Sequence, residues 1–65
     1  MQEIRDPEGR LLGTIRNDAG QLVARDANYR MLGFYDPRTD KTKDPRYRVI
    51  GMGNLLATLI AQARG

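Results

Sequence analysis

The sequence predicts a mainly β protein, namely a six-strand antiparallel meander followed by one C-terminal α-helix. Three observations predict this fold class. A phrase made of a turn and then a strand occurs four times. Turn signals begin at residues 6, 17, 26, 36 and 44, which is the spacing of a continuous meander. The last apolar segment, in contrast, has the periodicity of a helix.

The repeated phrase first occurs as Asp-Pro-Glu-Gly-Arg-Leu-Leu-Gly at residues 6–13. In its turn half, Asp can accept hydrogen bonds from the backbone ahead, Pro fixes φ, and Gly tolerates positive φ. Tyr29 and Tyr47 stand where the first two copies have glycine, and Asn28 is the residue of the third turn that most readily adopts a left-handed conformation. We therefore expect a single domain, residues 1–65, with four repeats that start near residues 6, 17, 26 and 44.

Each turn is flanked by short segments that favour strands. The fifth is a short polar strand that follows a turn without the strand half of the phrase. The expected strands are 2–5, 10–16, 21–25, 30–35, 40–43 and 47–52.

Alternation along these strands predicts a sheet with two apolar faces. One face is expected to carry Leu11, Leu22, Met31 and Val49 with the small column Gly13, Ala24, Gly33 and Gly51. The other is expected to carry Leu12, Val23, Leu32 and Ile50 with Arg10, Gln21, Arg30 and Arg48. Since a small solvated sheet normally has one polar face, we expect both faces to be covered.

The C-terminal segment predicts a helix over residues 54–63, which would cover the glycine column of the sheet. Asn54 is a suitable N-cap, and Arg64 suits the negative end of the helix dipole. The apolar residues form a single stripe at helical spacing, Leu55, Leu56, Leu59, Ile60 and Ala63. Gly51-Met52-Gly53 precedes the helix as a phosphate loop does, but the remaining glycine and the lysine of that motif are missing, so we interpret it as a hinge.

Composition limits both the core and the chemistry. A chain of 65 residues buries only a small core, and oligomerisation is one way to enlarge it. Cysteine and histidine are absent, which excludes disulfides and a zinc site of nitrogen and sulfur ligands. The N-terminus lacks the apolar segment of a signal peptide, and the apolar stretch 55–63 is too short to span a bilayer. We therefore expect a cytoplasmic protein without membrane contact.

The pattern as a whole resembles a known family. The Asp-x-x-Gly-Arg-apolar-apolar-Gly units, the segment Tyr-Asp-Pro-Arg-Thr-Asp-Lys-Thr at 35–42, and the ending Val-Ile-Gly-Met-Gly-Asn-Leu-Leu-Ala-Thr-Leu-Ile at 49–60 are similar to the small bacterial four-fold β-flower family. The resemblance covers residues 4–60. It implies that the meander forms a shallow, pseudo-symmetric flower or half-barrel of antiparallel hairpins with a terminal apolar segment, and it implies no catalytic residue.

The residues do not favour an enzyme. Without histidine or cysteine, acid–base chemistry would fall to carboxylates, lysines or tyrosines, and the aspartates at 6, 18, 26, 36 and 44 all stand where a turn favours Asp. Asp36, Asp40 and Asp44 could offer oxygens to calcium, but they lack the glycine and closing glutamate of a calcium loop, and lysines interrupt them. We predict no catalytic residue, no metal and no cofactor.

Two binding hypotheses remain, and they use different residues. The favoured one is a non-enzymatic assembly or protein-interaction module, a homo-oligomer or a binder of a partner protein, that associates through the apolar sheet face and the C-terminal helix. Its predicted interface is Leu12, Val23, Leu32, Phe34 and Ile50, with Leu55, Leu56, Leu59 and Ile60 shared between core and contact. The alternative is binding of nucleic acid or another anion, with +3 net charge and an arginine array expected opposite the helix, Arg10, Arg30 and Arg48. Those arginines could instead cover apolar neighbours and pair with turn carboxylates.

Overall fold

A computed structural model describes residues 1–63. Six strands form one open antiparallel sheet in chain order, and a single helix follows them, so the predicted fold class is confirmed. The elements are β1 (Gln2–Arg5), β2 (Leu11–Asp18), β3 (Gln21–Asp26), β4 (Met31–Asp36), β5 (Lys41–Lys43), β6 (Val49–Met52) and α1 (Leu56–Ala63). The role predicted for Arg64 lies outside the described residues.

The hairpins alternate between two kinds along the chain. The β1–β2, β3–β4 and β5–β6 pairs each contain a β-bulge, whereas β2–β3 and β4–β5 pair without one. Because consecutive strands run in opposite directions, the turns of the three bulged hairpins lie at the same end of the sheet. We call this the bulged end, made of residues 6–10, 26–30 and 44–48. The copy at residues 17–24 lies at the opposite end and forms a tight hairpin.

The three turns of the bulged end share one hydrogen-bond pattern, which begins with an aspartate. The carboxylate Oδ1 of Asp6 accepts from the backbone N–H groups of Glu8 and Arg10 at 3.0 and 2.8 Å. Asp26 and Asp44 accept from the equivalent positions at 2.8–2.9 Å. The predicted turn-capping role is therefore observed at these aspartates. In the second copy Asn17, and not Asp18, accepts from the backbone, at Gly20.

The fourth residue of each such turn adopts a left-handed conformation. Gly9 has φ 85°, and Tyr29 and Tyr47 have φ 67° and 66°. The prediction that Asn28 would take this conformation was wrong, because the turn geometry fixes the position regardless of residue type. A left-handed φ costs a residue with a side chain about 1–2 kcal/mol. The conformation of the two tyrosines therefore lowers the stability of the fold.

The bulges overturn the predicted assignment of the two faces in the first, third and fourth copies, whereas the second copy, which has no bulge, places Leu22 on the helix side and Val23 on the other face as predicted. Ile4 pairs with Gly13 and Arg5 pairs with Leu11, which leaves Leu12 as the extra residue of the bulge. Leu32 and Ile50 hold the same position in β4 and β6. One extra residue moves every side chain that precedes it in the strand to the opposite face of the sheet. Leu12 and Leu32 thus pack against the helix-side core, while the register puts Leu11, Met31 and Val49 on the other face.

The helix covers the glycine column, as the sequence predicts. A methyl group on Gly13 would collide with Ile60, one on Gly33 with Leu59, and one on Gly51 with Leu55. Glycine therefore lets α1 approach the sheet closely. The buried cluster consists of Ile15, Ala24, Leu56 and Ile60, with Ile4, Leu12, Leu22, Leu32, Tyr35 and Leu59 packed around it.

The connection from β6 to α1 is anchored on β5. The Thr42 hydroxyl donates to the carbonyl of Gly53 at 2.6 Å and accepts from the N–H of Leu55 at 3.1 Å. Gly53 has φ 77° and makes the turn between β6 and α1, at the position where the sequence predicts a hinge. Asn54 Oδ1 accepts from the N–H of Leu56 at 3.1 Å, so the helix begins two residues later than predicted and Asn54 still caps it.

Candidate functional site

The sheet face turned away from α1, here called the open face, carries a basic and aromatic patch. Its central row runs Arg16, Val23, Phe34, Lys43 and Val49 across five neighbouring strands. The adjacent row runs Thr14, Arg25 and Met31. Cations therefore flank an apolar centre on this face.

Two tyrosines of the bulged end lie against this patch. The ring of Tyr47 stacks on that of Phe34, with centroids 4.9 Å apart and planes 14° from parallel. The guanidinium carbon of Arg25 lies 5.7 Å from the ring centroid of Tyr29, a cation–π contact. Val23 and Phe34 are buried although no helix or strand among residues 1–63 covers this side of the sheet. The turns of the bulged end thus cover part of the open face, but Met31 and Val49 stay exposed on it, so the expectation that both apolar faces are covered is met only in part.

The cations of the open face are not neutralised within the described part of the chain. The ion pairs between residues 1 and 63 join Arg5 to Glu3 at 3.0 Å and Arg10 to Asp6 and Glu8 at 3.7 and 3.2 Å. No such pair includes Arg16, Arg25 or Lys43. These three side chains keep their charge available to a ligand.

The predicted arginine array takes a different position from the one expected. Arg10 hydrogen-bonds back to Asp6 in the turn, and both line a cavity of about 390 Å³ beside the end of α1. Arg30 and Arg48 hold the equivalent turn positions. For Arg10 the prediction of a position facing away from the helix was wrong, because the bulge reverses the alternation before it and the residue lines the cavity beside α1. Pairing with turn carboxylates is seen only for Arg10 among residues 1–63.

The cavity beside α1 has little chemistry of its own. The Oδ1 atoms of its two aspartates are occupied by turn N–H groups. Its remaining polar side chains are an arginine and an asparagine. The full lining is Asp6, Arg10, Leu11, Leu12, Asp26, Ala27, Asn28 and Ala63. Residues 1–63 contain no group of three or more His, Cys, Asp or Glu side chains that could hold a metal ion.

The predicted interface residues divide into three groups. Leu56 and Ile60 are fully buried and Val23 and Phe34 are nearly so. Leu12, Leu32, Leu55 and Leu59 are half-buried beneath or beside α1. Ile50 alone of the set is exposed, on the edge strand β6. Most of the set therefore forms the core of the chain, and Ile50 is the member available for contact.

Sequence reasoning missed the cations of the open face. Arg25 and Lys43 each immediately precede the aspartate that opens a bulged turn, and Arg5 precedes the first. A basic residue at the position before the phrase was therefore a usable signal. This basic position lies just before the repeated phrase, which begins at the aspartate.

A tyrosine on the helix side fixes the β4–β5 turn. The hydroxyl of Tyr35 donates to Oδ1 of Asp40 at 2.7 Å, and Asp40 is itself left-handed, with φ 56°. That hydrogen bond, with desolvation and the nearby carboxylates of Asp40 and Asp36, raises the pKa of Tyr35 above its usual 10.0. The neutral phenol is the form that the fold favours.

We predict a pH-dependent stability contribution from this hydrogen bond. Since the folded state holds the Tyr35 proton more tightly than the unfolded state, the contribution is complete below pH 10.0 and is lost as pH rises through the raised pKa. Phenolate absorbance of the native protein should show a late-titrating tyrosine that disappears in Tyr35→Phe and titrates earlier in Asp40→Asn. If Tyr35→Phe leaves the late-titrating fraction in place, the assignment is wrong.

Comparisons with known proteins give no relative. No family model, curated protein or solved structure matches the chain. No helix within residues 1–63 is long and apolar enough to cross a membrane.

Proposed function

We propose that the chain is a non-enzymatic assembly module, of the four-fold β-flower type and cytoplasmic, that self-associates by pairing its edge strand β6 with β6 of a second copy. The observation that carries the proposal is the exposure of this edge. Val49, Ile50 and Met52 are 51%, 44% and 62% exposed on a strand that has only one neighbour in the sheet. Unpaired backbone groups beside exposed apolar side chains are a template for another strand.

The two edges of the sheet differ in a way that favours β6. The β1 edge reads Gln-Glu-Ile-Arg and carries an ion pair between Glu3 and Arg5, and charged side chains discourage pairing at an edge. The β6 edge reads Val-Ile-Gly-Met and carries no charge. The apolar edge is therefore the one open to a partner strand.

A second copy fits this edge without conflict between charges. An antiparallel pairing centred between Ile50 and Gly51 places Val49 opposite Met52 of the other copy and Arg48 opposite Gly53. Val49 and Met52 lie on the same face, since both pair with lysines of β5 two positions apart, Lys43 and Lys41. Such apolar cross-strand pairs stabilise antiparallel sheets. Extending the sheet also enlarges the small core of a 65-residue chain.

The chain's aspartates support a non-enzymatic role. Those of the bulged end and Asp36 accept backbone hydrogen bonds in turns, which gives them a structural use. The second candidate, anion binding at Arg10, Arg30 and Arg48, draws support from the exposure of these side chains. That support is weaker, since Arg10 is already paired with two carboxylates.

Self-association predicts a mass that depends on one exposed residue. We expect the wild-type chain to have the mass of a dimer by multi-angle light scattering at micromolar concentration, and Ile50→Lys to have that of a monomer. Ile50 is chosen because it is exposed and lies outside the buried cluster, so the charge should leave the fold intact. The matched control is Gln2→Lys, the same charge on the opposite edge strand, which should remain dimeric. A wild-type monomer across this concentration range would refute the proposal.

A further inference from the structure

We infer that the open face binds single-stranded nucleic acid, through cations that hold phosphates and tyrosines that stack on bases. The cations are Arg16, Arg25 and Lys43, which share this face and form no ion pair within residues 1–63. Of the two cross-strand rows beside the central one, the first holds Glu3, which Arg5 neutralises at 3.0 Å, and the second holds Asp18, Asp36 and Lys41. With Arg5 and Lys41 included, the open face holds five cations and three carboxylates, so it presents a net positive charge to an anionic ligand.

The tyrosines provide the second half of the site. Tyr29 and Tyr47 are 62% and 64% exposed, and each is held in a left-handed conformation that Gly9 adopts freely in the first copy. Tyr47 rests one face of its ring on Phe34, so its position is fixed while its surface stays accessible. A ring supported from below and open to solvent is a platform on which a base can stack.

The arrangement suits a single strand better than other anions. The two tyrosine turns are separated by two strands, roughly 10 Å at ordinary strand spacing, so a few nucleotides could reach both rings. Bases within a duplex are already stacked, and a peptide of Asp and Glu without aromatic residues has no ring to place on either tyrosine. Sequence preference should be small, because every base has a face that can stack and the patch offers few groups that read base edges.

The test uses fluorescence anisotropy with an end-labelled oligothymidine of about 12 nucleotides and the full chain. We expect saturable binding at low salt that weakens as salt rises. Lys43→Gln should lower the slope of log affinity against log salt by about 0.7, the value for one phosphate contact on a single strand. Tyr29→Gly should weaken binding at least about fivefold. Glycine suits the left-handed φ of this position, so the variant keeps its fold, which circular dichroism checks.

Two controls separate this site from general attraction to anions. Arg38→Gln removes a cation from the β4–β5 turn, at the other end of the sheet, and should leave both affinity and salt slope unchanged. Inorganic polyphosphate of matched charge and a duplex of the same length should compete poorly. Absence of binding at low salt would overturn the inference. Equal losses in Tyr29→Gly and Arg38→Gln, or equal competition by polyphosphate, would do so too.

Discussion

Gly33→Ala is expected to destabilise the fold by about 2–3 kcal/mol in urea denaturation, the high end of the range for overpacking. A methyl group on Gly33 would lie 2.6 Å from the carbonyl oxygen of Lys43 and 2.8 Å from Cδ1 of Leu59. The first of these is backbone of the neighbouring strand and cannot move without disturbing the sheet. Gly33 is thus needed both by the sheet and by the helix above it.

Gly51→Ala is the matched control, because Gly51 holds the same position of the phrase on the edge strand. Its added methyl group would meet Leu55 Cδ1 at 2.6 Å and no backbone atom within 4 Å. The end of a leucine side chain can rotate away, so the cost should stay below about 1 kcal/mol. Similar losses in the two variants would show that contact with the helix, and not with the neighbouring strand, selects glycine.

Thr42→Val is expected to cost about 2 kcal/mol of unfolding free energy, even though the two side chains have nearly the same shape. Thr42 is fully buried, and valine would leave the carbonyl of Gly53 and the N–H of Leu55 without their partner. Buried polar groups that lose a hydrogen bond are costly. Because these two backbone groups lie just before the start of α1, losing their hydrogen bonds should also weaken the packing of the helix on the sheet.

Thr42→Ser separates the hydroxyl from the methyl group. Serine keeps both hydrogen bonds and loses one buried carbon, a cost of about 1 kcal/mol. Equilibrium urea denaturation of both variants gives the comparison. If serine costs as much as valine, packing of the methyl group and not the hydroxyl bridge holds the connection together.

The turns and the strand order could be predicted because their signals are local. Asp6 and Gly9 determine a turn by themselves, and turns at regular spacing leave a meander as the simplest connection. The side of the sheet that receives the helix was also predictable, since Gly13, Gly33 and Gly51 form a column that favours close approach. That column is where α1 packs.

The two faces could not be assigned from alternation alone. No particular residue type marks the extra residue of a bulge. In the pair Leu11-Leu12, the sequence is equally compatible with either leucine pointing toward the helix. A residue that favours the left-handed conformation at the fourth position of the turn could have indicated the irregular hairpin. In the third and fourth copies this position is Tyr29 and Tyr47, and tyrosine does not indicate a left-handed conformation as glycine does.

The predicted interface failed to separate core from surface for the same reason. Leu12 and Leu32 were placed on a free face, and the bulge turns them toward the helix-side core. Phe34 was placed correctly, but the ring of Tyr47 stacks on it, a contact that depends on turn geometry rather than on sequence pattern. Exposure at Ile50 follows from its place on the last strand of the sheet.

Amide hydrogen exchange in β6 tests the central claim, self-pairing of this edge, most directly. Exchange would be followed residue by residue at high and low protein concentration. If β6 pairs with β6 of a second copy, the amides of residues 49–52 that do not pair with β5 become protected as concentration rises, and Ile50→Lys abolishes this protection while Gln2→Lys keeps it. Exchange in β6 that is fast and independent of concentration would contradict the account.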